Sequence, residues 1–112
     1  MDFDHFSVVM LRTRNVNSTA HDDDDAIQDA HMAYLASLHH EGKVLAAGPA
    51  PHEDLRGIVI FLCDVNETVR LMDVDPSVKA GWFDVEVIPW SVPRDVLTFS
   101  SAPLPRSMSE LD

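Results

Sequence analysis

Two segments of this chain are apolar on both of their alternating faces. The run His5-Phe6-Ser7-Val8-Val9-Met10-Leu11-Arg12-Thr13 is rich in β-branched and aromatic residues, and from Val8 to Leu11 neither face is polar. Gly57-Ile58-Val59-Ile60-Phe61-Leu62-Cys63 is the stronger case, apolar on both sides throughout. Such strands need cover on both faces of their sheet. A chain of 112 residues holds one domain of ordinary size, so few layers are available to provide that cover.

The segments between them narrow the choice. Asn15 to Ala20 is polar and turn-like, and the run His21-Asp22-Asp23-Asp24-Asp25 precedes a helical pattern. Aspartates there suit the cap and first turn of a helix, whose dipole they complement, better than a metal site. The helix is expected from about Asp23 to Glu41, closed by Gly42. Lys43 to Pro49 reads as a second strand, and Pro49 to Asp54 as a loop, since two prolines interrupt it. A short helix is expected from Asn66 to about Val74, capped by Asn66 or Asp64 and stopped or kinked by Asp75-Pro76. Phe83 to Ile88 alternates as a fourth strand.

The resulting order is strand, helix, strand, strand, helix, strand. That is an α+β, ferredoxin-like βαββαβ pattern: a four-stranded antiparallel sheet with two helices on one face. The helices leave the other face open, and the doubly apolar strands require it to be covered. The economical cover is the same face of a second copy, a homodimer joined through its sheets. Residues 1–90 form this domain. Residues 91–112, with Pro93, Pro103, Pro105 and several serines, are expected as an extended or partly disordered tail, with a short segment around Val96 to Phe99 laid on a neighbour.

Charge and composition exclude whole classes of partner. The chain carries 19 Asp and Glu against 8 Lys and Arg, a net charge of −11. Nucleic acid and anionic membrane surfaces are repelled by such a balance, and Arg12 and Arg14 are the densest basic pair. The hydrophobic share of 46% is that of a globular protein. One cysteine, Cys63, cannot form an intrachain disulfide. No apolar run reaches the roughly 20 residues needed to span a bilayer, and the acidic N-terminus is unlike a secretory signal. A cytoplasmic protein is expected.

The chemistry centres on one histidine. Ile27, Tyr34, Leu35 and Leu38 fall on a single helical stripe, and the position four after Ile27 is His31. A titratable ring thus occupies the inward face. It is either a core histidine satisfied by backbone, or an acid/base group if a carboxylate orients it. Asp75 is the candidate carboxylate; its plain alternative is a helix stop whose side chain bonds nearby backbone. His39 and His40 close the first helix and complement its dipole; adjacent residues point about 100° apart and cannot chelate as an i, i+4 pair does. His5, His21 and His52 form no spaced set, and Cys63 suits an inert buried position. Glycines at 42, 48, 57 and 81 match neither G-x-G-x-x-G nor a Walker A loop.

Several short motifs occur in a telling order: Ala30-His31-Met32-Ala33-Tyr34-Leu35, Gly42-Lys43-Val44-Leu45-Ala46-Ala47-Gly48-Pro49, Gly57, Asp75-Pro76, Ala80-Gly81 and Val87-Ile88-Pro89-Trp90. Together they resemble the YCII-related family from about Phe6 to Trp90. The resemblance implies a dimeric α+β barrel and a His-Asp active-site pair, here His31 and Asp75. A relative in that family removes chlorine from a hydroxylated aromatic ring. Accordingly His31 is expected as general acid or base and Asp75 as its orienting group, in a pocket between the first helix and the sheet near the dimer interface. Gly48 and Pro49 would shape its rim, and Tyr34 would offer a hydroxyl to a small cyclic or aromatic substrate. Proton abstraction with elimination, dehydrochlorination or isomerisation would need no metal and no redox cofactor. The alternatives are a non-catalytic small-molecule-binding or dimerisation module with a vestigial pocket, and a cofactor-independent monooxygenase on the same architecture. Two departures stand out: the family's frequent Asp-Pro-Tyr is here Asp75-Pro76-Ser77, without the aromatic wall or its hydroxyl, and the loop after Gly48-Pro49 reaches Gly57 within a few residues where relatives often have a longer acidic segment.

Overall fold

The computed structural model describes residues 2–14 and 24–111; the turn expected over 15–20 and the acidic run at 21–23 lie outside them. Strand β1 (Phe3–Thr13) is followed by helix α1 (Asp24–His40), strands β2 (Val44–His52) and β3 (Leu55–Phe61), helices α2 (Val65–Asp73) and α3 (Pro76–Lys79), and strand β4 (Phe83–Pro93). The four strands form one antiparallel sheet in the order β2-β3-β1-β4. The ferredoxin-like expectation therefore holds. Both doubly apolar segments occupy the two central positions, where a strand has neighbours on each side.

Register sorts the side chains into two layers. Val9 stands opposite Val59 on one side and Val87 on the other. With Leu11, Phe61 and Val44 it faces the helices, where Leu35 and Leu38 of α1 and Met72 of α2 complete the core. Val9, Val44, Phe61 and Met72 have no exposed surface, each burial contributing about 1.5–3 kcal/mol. The opposite layer carries Phe6, Val8, Met10, Ile58 and Ile60 on the central strands, with Ile88 and Trp90 on β4 opposite Val8 and Phe6. Ile88 and Trp90 are exposed, and among the described residues no helix lies over this face.

Proline placement corrects two boundaries. The loop expected over 49–54 is a two-residue turn, because β2 continues through Pro49 and Pro51 to His52. Glu53 takes a left-handed φ of 54° to reverse the chain. The fourth strand likewise runs past Ile88 to Pro93, pairing with β1 as far as Phe3. Both strands are sheet edges, where a residue without an N–H leaves no ladder bond unmade. The same prolines in a central strand would have ended it.

Helix ends follow their local chemistry. Asp24 and Asp25 fill the first turn of α1, and Gly42 leaves the helix at φ 81°. Asp64 caps α2 by accepting a hydrogen bond from the Glu67 backbone over 2.8 Å. Pro76 does not merely end α2; it begins a separate one-turn helix, α3, with Asp75 as its cap.

The segment after β4 lies along the chain's own first helix. Phe99, expected against a neighbour, stacks on His39 of α1 with ring centres 4.9 Å apart. The His39 ring is buried, with Nδ1 2.8 Å from the Val44 carbonyl oxygen and Nε2 2.8 Å from that of Ala102. Leu104 packs against the core, the Met108 N–H donates to Asp29 over 2.9 Å, and a 3-10 turn (Met108–Leu111) follows. Among the described residues no helix is long and apolar enough to cross a membrane.

Candidate active site

Helix α1 delivers the histidine and α3 the acid. His31 lies one turn before Leu35 on the inward stripe and is about nine-tenths buried. Asp75 is held by the geometry of α3: Pro76 fixes the first helical residue, and the Asp75 carboxylate turns back over the open N–H groups. Oδ1 accepts from the Ser77 backbone over 2.8 Å and from the Ser77 hydroxyl over 2.7 Å. His31 Nδ1 donates to Oδ2 over 2.8 Å.

The carboxylate has no exposed surface. Burying an isolated charge is costly, and three donors offset that cost here. The consequence for His31 is a defined tautomer. With its Nδ1 proton directed at Asp75, the neutral ring keeps Nε2 as an acceptor. Nε2 has no hydrogen-bond partner among the described residues, and the ring lines a cavity. Phe83 borders it, with ring centres 6.3 Å apart.

That cavity holds about 450 Å³, within the range of small-molecule sites. Gln28, Met32 and Leu35 of α1 form one wall with His31, and Gly48, Pro49 and Gly57 of the β2–β3 hairpin form another. Leu104, Pro105, Met108 and Leu111 close it from the C-terminal segment. Arg56 is the one Lys or Arg among the described residues that line it. Its Nη1 donates to the carbonyl oxygens of Glu53 and Leu55, while the neighbouring Asp54 carboxylate is held by Arg12 at 3.0 Å.

The structure therefore brings His31, Gly48 and Pro49 to one cavity and sets Asp75 behind His31, away from the cavity surface. Tyr34 lies elsewhere. Its hydroxyl donates to the Leu71 carbonyl over 2.7 Å, and it is not among the lining residues. Burial, and then the Asp75 charge, push the Tyr34 phenol upward. His39 is engaged by two carbonyl oxygens, and His40 is exposed. Burial first, and then Glu67, push the Cys63 thiol up, the direction of an unreactive side chain.

Two sets of residues escaped the sequence reading. Ser77 was noted for the tyrosine it replaces, yet its own hydroxyl completes the Asp75 network. Its signal was an Asp-Pro-Ser capping pattern. The strap residues Leu104, Met108 and Leu111 are spaced 0, 4 and 7, a helical interval too brief to stand out among prolines and serines.

Comparison with known proteins agrees with this architecture. Among solved structures the chain is similar to 5-chloro-2-hydroxyhydroquinone dehydrochlorinase from Burkholderia phenoliruptrix AC1100, in complex with 2,5-dihydroxybenzoquinone, at 21% sequence identity and a TM-score of 0.51, covering 76% of this chain and 92% of that one. At that identity the likeness is one of fold. No curated protein matches the chain. The model of the YCII-related domain matches residues 7–91. Since that is most of the 112 residues, the chain belongs to the YCII-related family.

Proposed function

We propose that this protein is an enzyme that uses His31 as general acid and base on a small cyclic or aromatic molecule, without a redox cofactor. One observation carries the reading: His31 Nδ1 lies 2.8 Å from a wholly buried carboxylate, and the same ring lines a cavity of about 450 Å³. Asp75 orients the ring and holds the Nδ1 proton, so that Nε2 faces the substrate. In an elimination, Nε2 takes a proton from the substrate, the electrons of that bond form a new π bond, and the leaving group departs with its own bonding pair. In an isomerisation the same nitrogen returns the proton at another atom. A positioned base of this kind contributes roughly 10²–10⁴-fold to rate.

The dehydrochlorinase with the same fold is named for a chlorinated, hydroxylated ring, and a ring of that size suits the cavity. Chlorinated hydroquinones are therefore the first panel to incubate with the protein, with chloride release followed over time. His31→Gln should lower release by roughly 10²–10⁴-fold. Release that persists undiminished in that variant overturns the reading. Binding by the wild type without turnover across the panel favours the alternative, a small-molecule-binding module.

The proposal includes a second copy of the chain on the open sheet face. Its support is the apolar layer of Val8, Met10, Ile58, Ile60, Ile88 and Trp90, which no helix among the described residues covers. A cytoplasmic setting belongs to the same reading, supported by the single cysteine.

A further inference from the structure

We propose that the C-terminal strap, residues 98–111, determines which rings the cavity accepts, selecting those with an apolar substituent such as a halogen or a small alkyl group. The inference rests on the cavity being the substrate site. The family match ends at residue 91, so the strap lies beyond the matched domain. Yet Leu104, Pro105, Met108 and Leu111 all line the cavity. The matched domain brings His31 and the hairpin rim, and the segment after it adds a further wall.

That wall is held in place. The Ala102 carbonyl is bonded to His39 Nε2 at 2.8 Å, and the Met108 N–H to Asp29 at 2.9 Å, so α1 grips the strap at two points. Leu104 is packed into the core between them. Met108 and Leu111 nevertheless remain 51% and 56% exposed. Apolar side chains anchored beside a cavity and left half open gain burial when a ligand arrives. Among the described lining residues the polar side chains are His31, Gln28 and Arg56, whereas those of the strap, Leu104, Pro105, Met108 and Leu111, are apolar. A fitting molecule is therefore two-natured: an ionisable or hydroxyl end for His31 and an apolar substituent for the strap.

The test titrates phenol and 4-chlorophenol into the full chain by NMR. Wild type should bind 4-chlorophenol about tenfold more tightly than phenol, the discrimination one methyl-sized group gives in an apolar pocket. Met108→Ser, at a side chain 51% exposed, should reduce that ratio to about twofold, weakening 4-chlorophenol binding more than phenol binding. Leu104→Ala should act in the same direction, with its thermal midpoint recorded to separate loss of fold from loss of selectivity. A ratio that survives both substitutions overturns the proposal, as does failure of either ring to bind at millimolar concentration. His31→Gln should keep the wild-type ratio. An undiminished turnover in that variant would remove the catalytic reading while leaving the strap's role intact.

Discussion

The Ser77 hydroxyl donates to Asp75 Oδ1 over 2.7 Å, two residues away along α3 and wholly buried with it. The same serine gives its backbone N–H to that oxygen. Ser77 thus supplies two donors to Oδ1, while His31 Nδ1 lies 2.8 Å from Oδ2 and 3.0 Å from Oδ1. Ser77→Ala removes one charge-assisted donor and should cost about 1.5–3 kcal/mol in urea denaturation. Asp75→Ala leaves the His31 N–H and the Ser77 hydroxyl both without their acceptor, and should cost about 3–5 kcal/mol. Equal losses for the two variants would show that the buried network is not what stabilises this corner.

Tyr34 makes a prediction at alkaline pH. Its phenol is shifted above the ordinary value of 10.0, chiefly by burial. The folded state thus holds the proton more tightly than the unfolded chain does. The stability tied to the neutral phenol is complete below pH 10.0 and is lost as pH rises through the folded value. Tyr34→Phe removes the hydrogen bond to Leu71 and should cost about 0.5–1.5 kcal/mol at neutral pH. Denaturation curves above pH 10.0 should show the wild type converging on the variant. A gap that stays constant with pH would contradict this.

His39 joins the strap to the sheet. Its two ring nitrogens face the carbonyl oxygens of Val44 and Ala102, and a neutral ring donates to only one of them at a time, whereas the protonated ring donates to both. His39→Ala removes the ring's contacts with both carbonyl oxygens and the stack on Phe99. Hydrogen exchange across residues 98–111 should accelerate by about tenfold for each 1.4 kcal/mol of anchoring lost, with little change in the central strands. Unaltered exchange in the strap would mean that other contacts hold it.

The apolar sheet face predicts assembly. Trp90 is 43% exposed and rests against Phe6, with ring centres 6.3 Å apart. Trp90→Glu places a charge in the middle of the proposed contact and should shift the mass measured by light scattering from two chains to one. An unchanged mass in that variant, or a wild type that is already a monomer, would refute the contact.

Much of the fold was legible because its signals are local. The doubly apolar runs at Val8–Leu11 and Ile58–Phe61 announced strands that need cover on both faces, and the stripe from Ile27 to Leu38 placed His31 inward, since helical period alone decides which residues share a face. The prolines misled. Pro49 and Pro51 looked like a loop, and Pro89 like a strand end, because the effect of a missing N–H depends on whether a neighbouring strand needs it. That need is a property of sheet order, which no short window contains.

By itself the sequence determined the strand and helix types, the inward histidine and the apolar layer awaiting cover, all consequences of side-chain periodicity along a few turns or pleats. Tertiary structure alone decided that His31 meets Asp75 across 44 residues of chain, that Tyr34 turns away to Leu71, and that the final segment walls the cavity. These depend on how separate elements come to rest against one another. Hydrogen-bond partners and cavity walls are set by distances in space, and periodicity along the chain carries no record of them.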